Sequence, residues 1–569
     1  MSTCYVESSK NVLSWGIGLG CNNYNKYWRP LEILHKEISN TCIDISSILQ
    51  KNISIFIDNT YMGKIGNSYT TSAYNNAPYT LLSNVSFIKN TDIISNTNIS
   101  NGLFNIVYQS NPITISGLTI SGISLNKPLI TISNGADVTI NNLNVNNCQC
   151  LQSLIDIRNS SLTLKNITIN NVISNSGAIF NFDKSTLLHL QSCNISGCNT
   201  YQGVIFSNSN ISLNNSTCNF YNNYSMTNGG AIFTNNYLTI SGNKTNLMFN
   251  NNGALGSGGS IIANSGITVN DASITFKNNY SVTGDGGAIN INLGLTIIGN
   301  HTNLKFYDNS ARRGGAIITG KYIIVKDTSR GTIYFSGNKA QSGGAIHCNK
   351  QTYSVTQGSI TLDNTLIEFS GNISTGLVTN KYKDGGAIYT KTISIVDSSI
   401  IFNNNFATSN GGAIYASGDI SIADSNVTFY HNKGSIGGAI NTTGLLNISG
   451  GNVFFNKNIA STYASAIFVD KNLTIYVNKV TFIDNSTAGF YHAMIVTNSQ
   501  NTLSTCFTRR AIGTKLPNYD FSNTLSHVDI YLQSFNTGYS CYPTLKDSGY
   551  CAPQQGPPNP LYIGNCPYS

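Results

Sequence analysis

Residues 411–432 read GGAIYASGDISIADSNVTFYHN. Three short segments can be picked out by which apolar residues fall two apart. Gly412, Ile414 and Ala416 share a face of the first segment. Ile420 and Ile422 share a face of the second, and Val427 and Phe429 of the third. Apolar residues at i and i+2 mark a strand with one buried face. Glycine or Asp-Ser punctuates the junctions, where the chain turns.

The same text recurs upstream and downstream. Gly-Gly-(Ala/Ser)-Ile begins at Gly229, Gly258, Gly286, Gly314, Gly343, Gly385, Gly411 and Gly437. Phe-x-x-Asn begins at Phe220, Phe249, Phe276, Phe306, Phe335, Phe369, Phe402, Phe429, Phe455 and Phe482. The residue two before each of these Phe is apolar, from Cys218 and Leu247 through Ile367 and Ile400 to Val480. A period of about 26–30 residues, repeated this often, means stacked units rather than a globular catalytic domain. Three strands per repeat cannot enclose a core alone, but stacked on like neighbours they can. The predicted fold is therefore all-β: a single-stranded right-handed parallel β-helix, a solenoid with three strands per turn, in which helix is minor.

The remaining residues are expected to serve that geometry. The phenylalanines should stack as an internal ladder. At about 4.8 Å per strand, fifteen or so turns would make a rod of roughly 70 Å. The Asn closing each Phe-x-x-Asn is expected at a corner, where it tolerates left-handed backbone and bonds its like along the axis. The Gly pair supplies positive φ or close backbone approach. No proline lies between Pro128 and Pro517, and seven of the eleven lie from Pro517 onward. A stacked coil cannot lose ladder hydrogen bonds, so this gap marks the array.

Reiterated GGAI and FxxN resemble the repeat of the chlamydial polymorphic outer membrane proteins and related β-helix passenger domains, over about residues 215–490. Ser176-Gly177-Ala178-Ile179 and Gln202-Gly203-Val204-Ile205 are eroded copies, and Phe87-Ile88-Lys89-Asn90 is an isolated one. The resemblance implies a surface-displayed adhesin exported as an autotransporter. Two features depart from it. VLSWGIGLG (residues 12–20) follows Glu7 and Lys10 and does not read as a secretory signal. Only about 80 residues follow the array, too few for a membrane barrel. Both departures favour a fibre, appendage or virion subunit over a true autotransporter.

Three parts are expected: an amino-terminal cap over 1–80, the β-helix over 81–500, and a Cys/Pro-rich cap or docking tail over 501–569. The first cap carries Trp15, Trp28, Glu7, Glu32 and Glu37, with a short helix near 30–38. Solenoid ends expose apolar cross-sections and so need covers. Cys4, Cys21 and Cys42 at one end, and Cys506, Cys541, Cys551 and Cys566 at the other, suit disulfide-stapled caps in an oxidising setting. Thirteen cysteines leave one over. Cys148-x-Cys150 and Cys193-x4-Cys198 lack a second Cys/His pair at finger spacing, so no metal is expected.

Charged residues are 10% of the chain against roughly 25% for ordinary soluble proteins, so Asn, Ser and Thr must carry solubility. The net charge of +8 is spread thinly, and Arg312-Arg313 and Arg509-Arg510 are read as solvated edges rather than a nucleic-acid site. No apolar run reaches the ~20 residues of a membrane helix. Asn-x-Ser/Thr matches, as at Asn166, Asn194, Asn426 and Asn472, bear sugar only on a eukaryotic secretory route.

Enzymes built on β-helices need clustered carboxylates. Between residues 80 and 500 the only Glu is Glu368. Asp363 and Glu368 with Lys381, Lys383 and Asp384 form the best cluster the sequence offers. Asp308 and Asp484 read as turn residues, and His301, His347 and His431 as solvated. The expectation is no catalytic, cofactor or metal site. The expected role is an extracellular adhesin or structural coat protein on a cell or virion surface. Its outer faces would bind glycans or proteins of a host or particle, with self-association through the caps. A polysaccharide lyase or hydrolase is the alternative.

Overall fold

The structure is a computed structural model. It describes residues 119–487 except 184–185, 350–357, 377–384, 472, 477–478 and 484, and outside that span only short stretches of strand. The terminal caps, their cysteines, the helix expected near 30–38, Arg509-Arg510, Lys381, Lys383, Asp384 and Asp484 therefore lie outside the described residues. The chain divides into two compact units, residues 1–264 and 265–569.

In the first unit a turn runs through four strands. Ile232–Thr234 is followed by Leu238–Ser241, Asn246–Asn250 and the two-residue Gly253–Ala254. Each pairs in parallel with its counterpart one turn earlier: Ile205 with Ile232, Leu213 with Ile240, Phe220 with Phe249, and Ser225 with Ala254. These are the first, second, third and fourth ladders. The three longer strands are those the sequence pattern predicts. The fourth is too short to show alternation and so escapes sequence reading.

The second unit repeats the plan. Its third ladder places Phe276, Phe306, Phe335, Phe369, Phe402, Phe429, Phe455 and Phe482 in one register. From Phe276 to Phe455 the rings stack inside, with centroids 4.7–5.0 Å apart and planes within 2–7°. Strand spacing sets that separation, which falls in the range of offset-stacked aromatic pairs. Ile274, Ile333, Ile367, Ile400 and Val427, two residues earlier, are equally buried. No helix occurs among the described residues.

The corners correct one expectation. The ladder Asn is not the residue with left-handed backbone; the residue before it is. Asn222, Asn251, Asp308, Asn404 and His431 have φ of +53° to +55°, and Gly337 and Gly371 +64° and +62°. Asn and Asp visit this region because their short polar side chains bond locally, and Gly because it has no Cβ. Asp308 thus has the turn role expected of it. The Gly pair splits its two tasks. Gly411 has φ +64°, whereas a Cβ on Gly412 would collide with the carbonyl oxygen of Gly438 one turn on. Both glycines are needed, for different reasons.

The following Asn forms an internal column. In the second unit Asn309, Asn338, Asn372, Asn405, Asn432 and Asn458 are fully buried. Each Nδ2 donates to the Oδ1 of the next at 2.9–3.0 Å. The same Nδ2 donates to a Phe carbonyl of the preceding turn, as Asn405 does to Phe369 at 2.9 Å. Burying a carboxamide is tolerable only when it is satisfied in this way. In the first unit the column begins at Asn223, whose Oδ1 accepts from the Cys198 backbone N–H at 3.1 Å.

Candidate functional surface

The small internal void of the second unit is lined by Leu295, Ile333, Phe335, Ile346, Leu362 and other apolar residues alone. The pleat places outward side chains alternately with the buried ones.

On the second ladder of the second unit, Thr268, Thr296, Ile324, Thr361, Ser394, Ser421 and Asn447 share one outward column. All but Asn447 are half-buried, and Asn447 is exposed. On the first unit, exposed carboxamides align along the axis. Asn235 donates to Asn208, and Asn264 to Asn235, both at 2.8 Å. Such columns present hydroxyl and amide groups at a fixed strand spacing, a surface suited to polar partners. Apolar residues also reach solvent on the first unit, where Leu151, Tyr201, Met226 and Leu255 are 43–48% exposed.

Of the acidic cluster suggested by the sequence, Asp363 and Glu368 are described, and they stand on the second and third ladders. Asp363 lies beside Lys326, with Oδ2 to Nζ 3.5 Å. Glu368 stands in register between Tyr334 and Ile401 on the third ladder, and burial pushes its carboxyl up. The described cysteines Cys148, Cys150, Cys193, Cys198, Cys218 and Cys348 are free, buried thiols.

Two expectations fail at one place. Arg313 is not a solvated edge, and His347 is not a solvated histidine. Asp285 accepts from both guanidinium groups: from Arg313 Nε at 3.1 Å and Nη2 at 2.6 Å, and from Arg312 Nε and Nη2 at 3.1 Å. The side chains of Asp285 and Arg313 are 5% and 9% exposed, and that of Arg312 is 50% exposed. Burial alone would raise the Asp285 carboxyl, but the hydrogen bonds and charges of Arg313 and Arg312 hold it at about 2.

His347 is 1% exposed. Its ring stacks on Tyr389 with centroids 4.3 Å apart, Nδ1 lies 3.2 Å from Ser342 Oγ, and Nε2 lies 2.9 Å from the Asn349 carbonyl. That carbonyl only accepts, so Nε2 carries the proton and Nδ1 accepts from Ser342. Burial, helped by the charge of Arg313, pushes the imidazole down to about 3. A hydroxyl beside an imidazole has the outline of a nucleophile and its base. Ser342 is fully buried, however, and a neutral ring with so low a pKa is a poor base at neutral pH. The cluster is buried at the first ladder, where His347 stands in register between Ile318 and Tyr389. Its partners are 28 and 62 residues apart, so no local motif announced it.

The repeat of the Chlamydia polymorphic membrane proteins matches residues 273–292, 332–349, 366–391 and 399–417. The chain is 36% identical to "Probable outer membrane protein pmp6" of Chlamydia pneumoniae over 136 residues, which is 21% of this chain and 10% of that protein. It is 30% identical to "Probable outer membrane protein PmpF" of Chlamydia trachomatis serovar D over 270 residues, 43% of this chain and 24% of that protein. The chain thus spans a quarter or less of the length of these relatives. Neither relative is named as a virion or fibre protein. No solved structure gives a significant match. Over the matched part of its length, the chain carries the polymorphic membrane protein repeat of Chlamydia, folded as a parallel β-solenoid.

Proposed function

We propose that this solenoid is a surface-displayed passenger of an outer membrane protein. In this reading it acts as an adhesin or structural coat element and binds glycans or proteins through its outer faces. The observation that carries the reading is the division of chemistry between its two sides. The inside is closed by apolar columns and a satisfied Asn ladder, while outward columns such as Thr361, Ser394 and Ser421 present hydroxyls and amides along the face. Function is then distributed along a face, and no catalytic group is invoked. The names of the two relatives support an outer membrane location.

The test is binding of the purified chain to arrayed glycans and to intact host cells. Saturable binding is expected, weakened several-fold by the combined changes Thr361→Ala, Ser394→Ala and Ser421→Ala. These touch only outward side chains and leave the fold in place. Turnover of a polysaccharide, lost on Asp363→Ala or Glu368→Ala, would replace this reading with the enzyme. End-to-end filaments without any surface binding would replace it with a fibre subunit.

A further inference from the structure

Cys193 and Cys218 face one another across adjacent strands of the third ladder, paired in register. They are 3% and 2% exposed. The Sγ of Cys193 lies 3.6 and 3.7 Å from the Leu164 and Gln191 carbonyls, and that of Cys218 lies 4.0 Å from the Asn219 carbonyl. Parallel strands about 4.8 Å apart place in-register Cα atoms inside the 4.4–6.8 Å range that a disulfide spans. Elsewhere that column holds Ile167 before Cys193 and Leu247 after Cys218. Only these two successive turns carry sulfur there.

The other thiols of the first unit are placed differently. Cys148 and Cys198 occupy one corner column, but Val172 stands between them: the N–H of Ile173 bonds to the Cys148 carbonyl, and the N–H of Asn199 to the Val172 carbonyl. Two spacings, about 9.6 Å, exceed the reach of a disulfide. Cys150 sits between Leu125 and Ser174.

We propose that Cys193 and Cys218 form a modification site: folded in an oxidising compartment, they close into a disulfide that ties two consecutive turns together from inside. The oxidant is a low-molecular-weight or protein disulfide, RS–SR. The Cys193 thiolate attacks one sulfur, forming Cys193–S–SR and releasing RS⁻. The Cys218 thiolate then attacks the Cys193 sulfur and expels the second RS⁻. The two thiol protons pass through solvent to the released thiolates, so the cysteine pair is oxidised and RS–SR becomes two RSH.

The chemistry belongs to the folding chain rather than the finished coil. Once the turns have stacked, burial pushes the Cys218 thiol well up, and a closed core admits no oxidant. Before stacking, both thiols are exposed, and the ladder brings them together as it zips. The Cβ atoms must then lean about 1 Å towards each other along the axis to reach the usual separation. This inference does not depend on what the outer faces bind.

The full chain, reduced and denatured, is refolded in mixed oxidised and reduced glutathione. Free thiols are then blocked, the chain is digested, and linked peptides are identified by mass spectrometry. A Cys193–Cys218 link is expected at least tenfold more abundant than any link involving Cys148, Cys150 or Cys198. Recovery of Cys193 and Cys218 as separately blocked thiols, or joined to other cysteines, would overturn the proposal. A second arm avoids refolding: the chain is produced in the bacterial cytosol and in the periplasm, and thiols are blocked before lysis. The link is expected only in the periplasmic protein and absent from Cys218→Ser; free thiols in both compartments would contradict it.

Discussion

The Nδ2 of Asn338 donates to Oδ1 of Asn372 at 2.9 Å, and the backbone N–H of Asn338 donates to the same oxygen at 3.2 Å. One buried side chain thus serves main chain and side chain of its neighbour at once. Asn372 in turn donates to Asn405 Oδ1 and to the Phe335 carbonyl, both at 3.0 Å. From Asn309 to Asn458 the corners of successive turns are therefore wired together.

Replacing Asn372 by Ala strands the amide and N–H of Asn338 and the carbonyl of Phe335. Buried unsatisfied groups cost about 1–3 kcal/mol each, so a loss of about 3–5 kcal/mol is expected in chemical denaturation. Asn372→Asp should be at least as damaging, because a carboxylate cannot donate to Asn405 Oδ1. A change below about 1 kcal/mol would mean that solvent or relaxation satisfies the column.

The glycines separate two kinds of constraint. A Cβ on Gly386 would meet the Gly412 carbonyl, whereas Gly371, at φ +62°, has nothing within 4 Å of that position. Gly386→Ala is expected to cost about 3 kcal/mol or more through displaced backbone. Gly371→Asn should change stability by less than about 0.5 kcal/mol, since Asn404 already adopts φ +53° at the equivalent corner. Thermal melts of the two variants against the parent decide it.

Acid should weaken the second unit in two stages. His347 binds a proton near 6.5 when unfolded and near 3 when folded. The unfolded chain takes that proton first, so the contribution of His347 is intact above pH 6.5 and lost as pH falls towards 3. Asp285 is held near 2 against about 3.9 unfolded. Its share, about 2.5 kcal/mol, is present above pH 4 and lost between 4 and 2. Denaturation midpoints measured across pH should flatten between 6.5 and 4 in His347→Gln, and below 4 in Asp285→Asn. An unchanged slope in either variant would show that its group is not buried as described. Asp285→Asn should also cost stability at neutral pH, because it leaves the buried Arg313 charge uncompensated.

The parts legible in the sequence were those written at short range. Val427 and Phe429 lie two apart, so their shared face could be read without any partner. The first Gly of each pair and Asp308 were likewise visible as turn residues. The bonding of Asn432 to its like along the axis is legible and holds, whereas the left-handed backbone falls one residue earlier, at His431, because pattern alone does not separate a left-handed corner from the buried amide beside it. Tyr224-Ser225 is too brief to declare a strand. Asp285, Arg313 and His347 meet only after three turns have stacked, so nothing local marks Arg313 as buried. The outer columns are legible only as composition until registers such as Ser394 with Ser421 are fixed.

Spin labels introduced in pairs on the outward second-ladder column of the second unit measure the stacking most directly. Thr296 and Asn447 are five turns apart, through Ile324, Thr361, Ser394 and Ser421. With genetically encoded labels, dipolar spectroscopy should place their backbones about 24 Å apart, and Thr296 and Ser421 about 19 Å apart. The distance should grow by one strand spacing per turn, whether that turn holds 26 residues or 37. Distances that instead track the number of intervening residues, or that fail to increase along the column, would contradict the stacked coil.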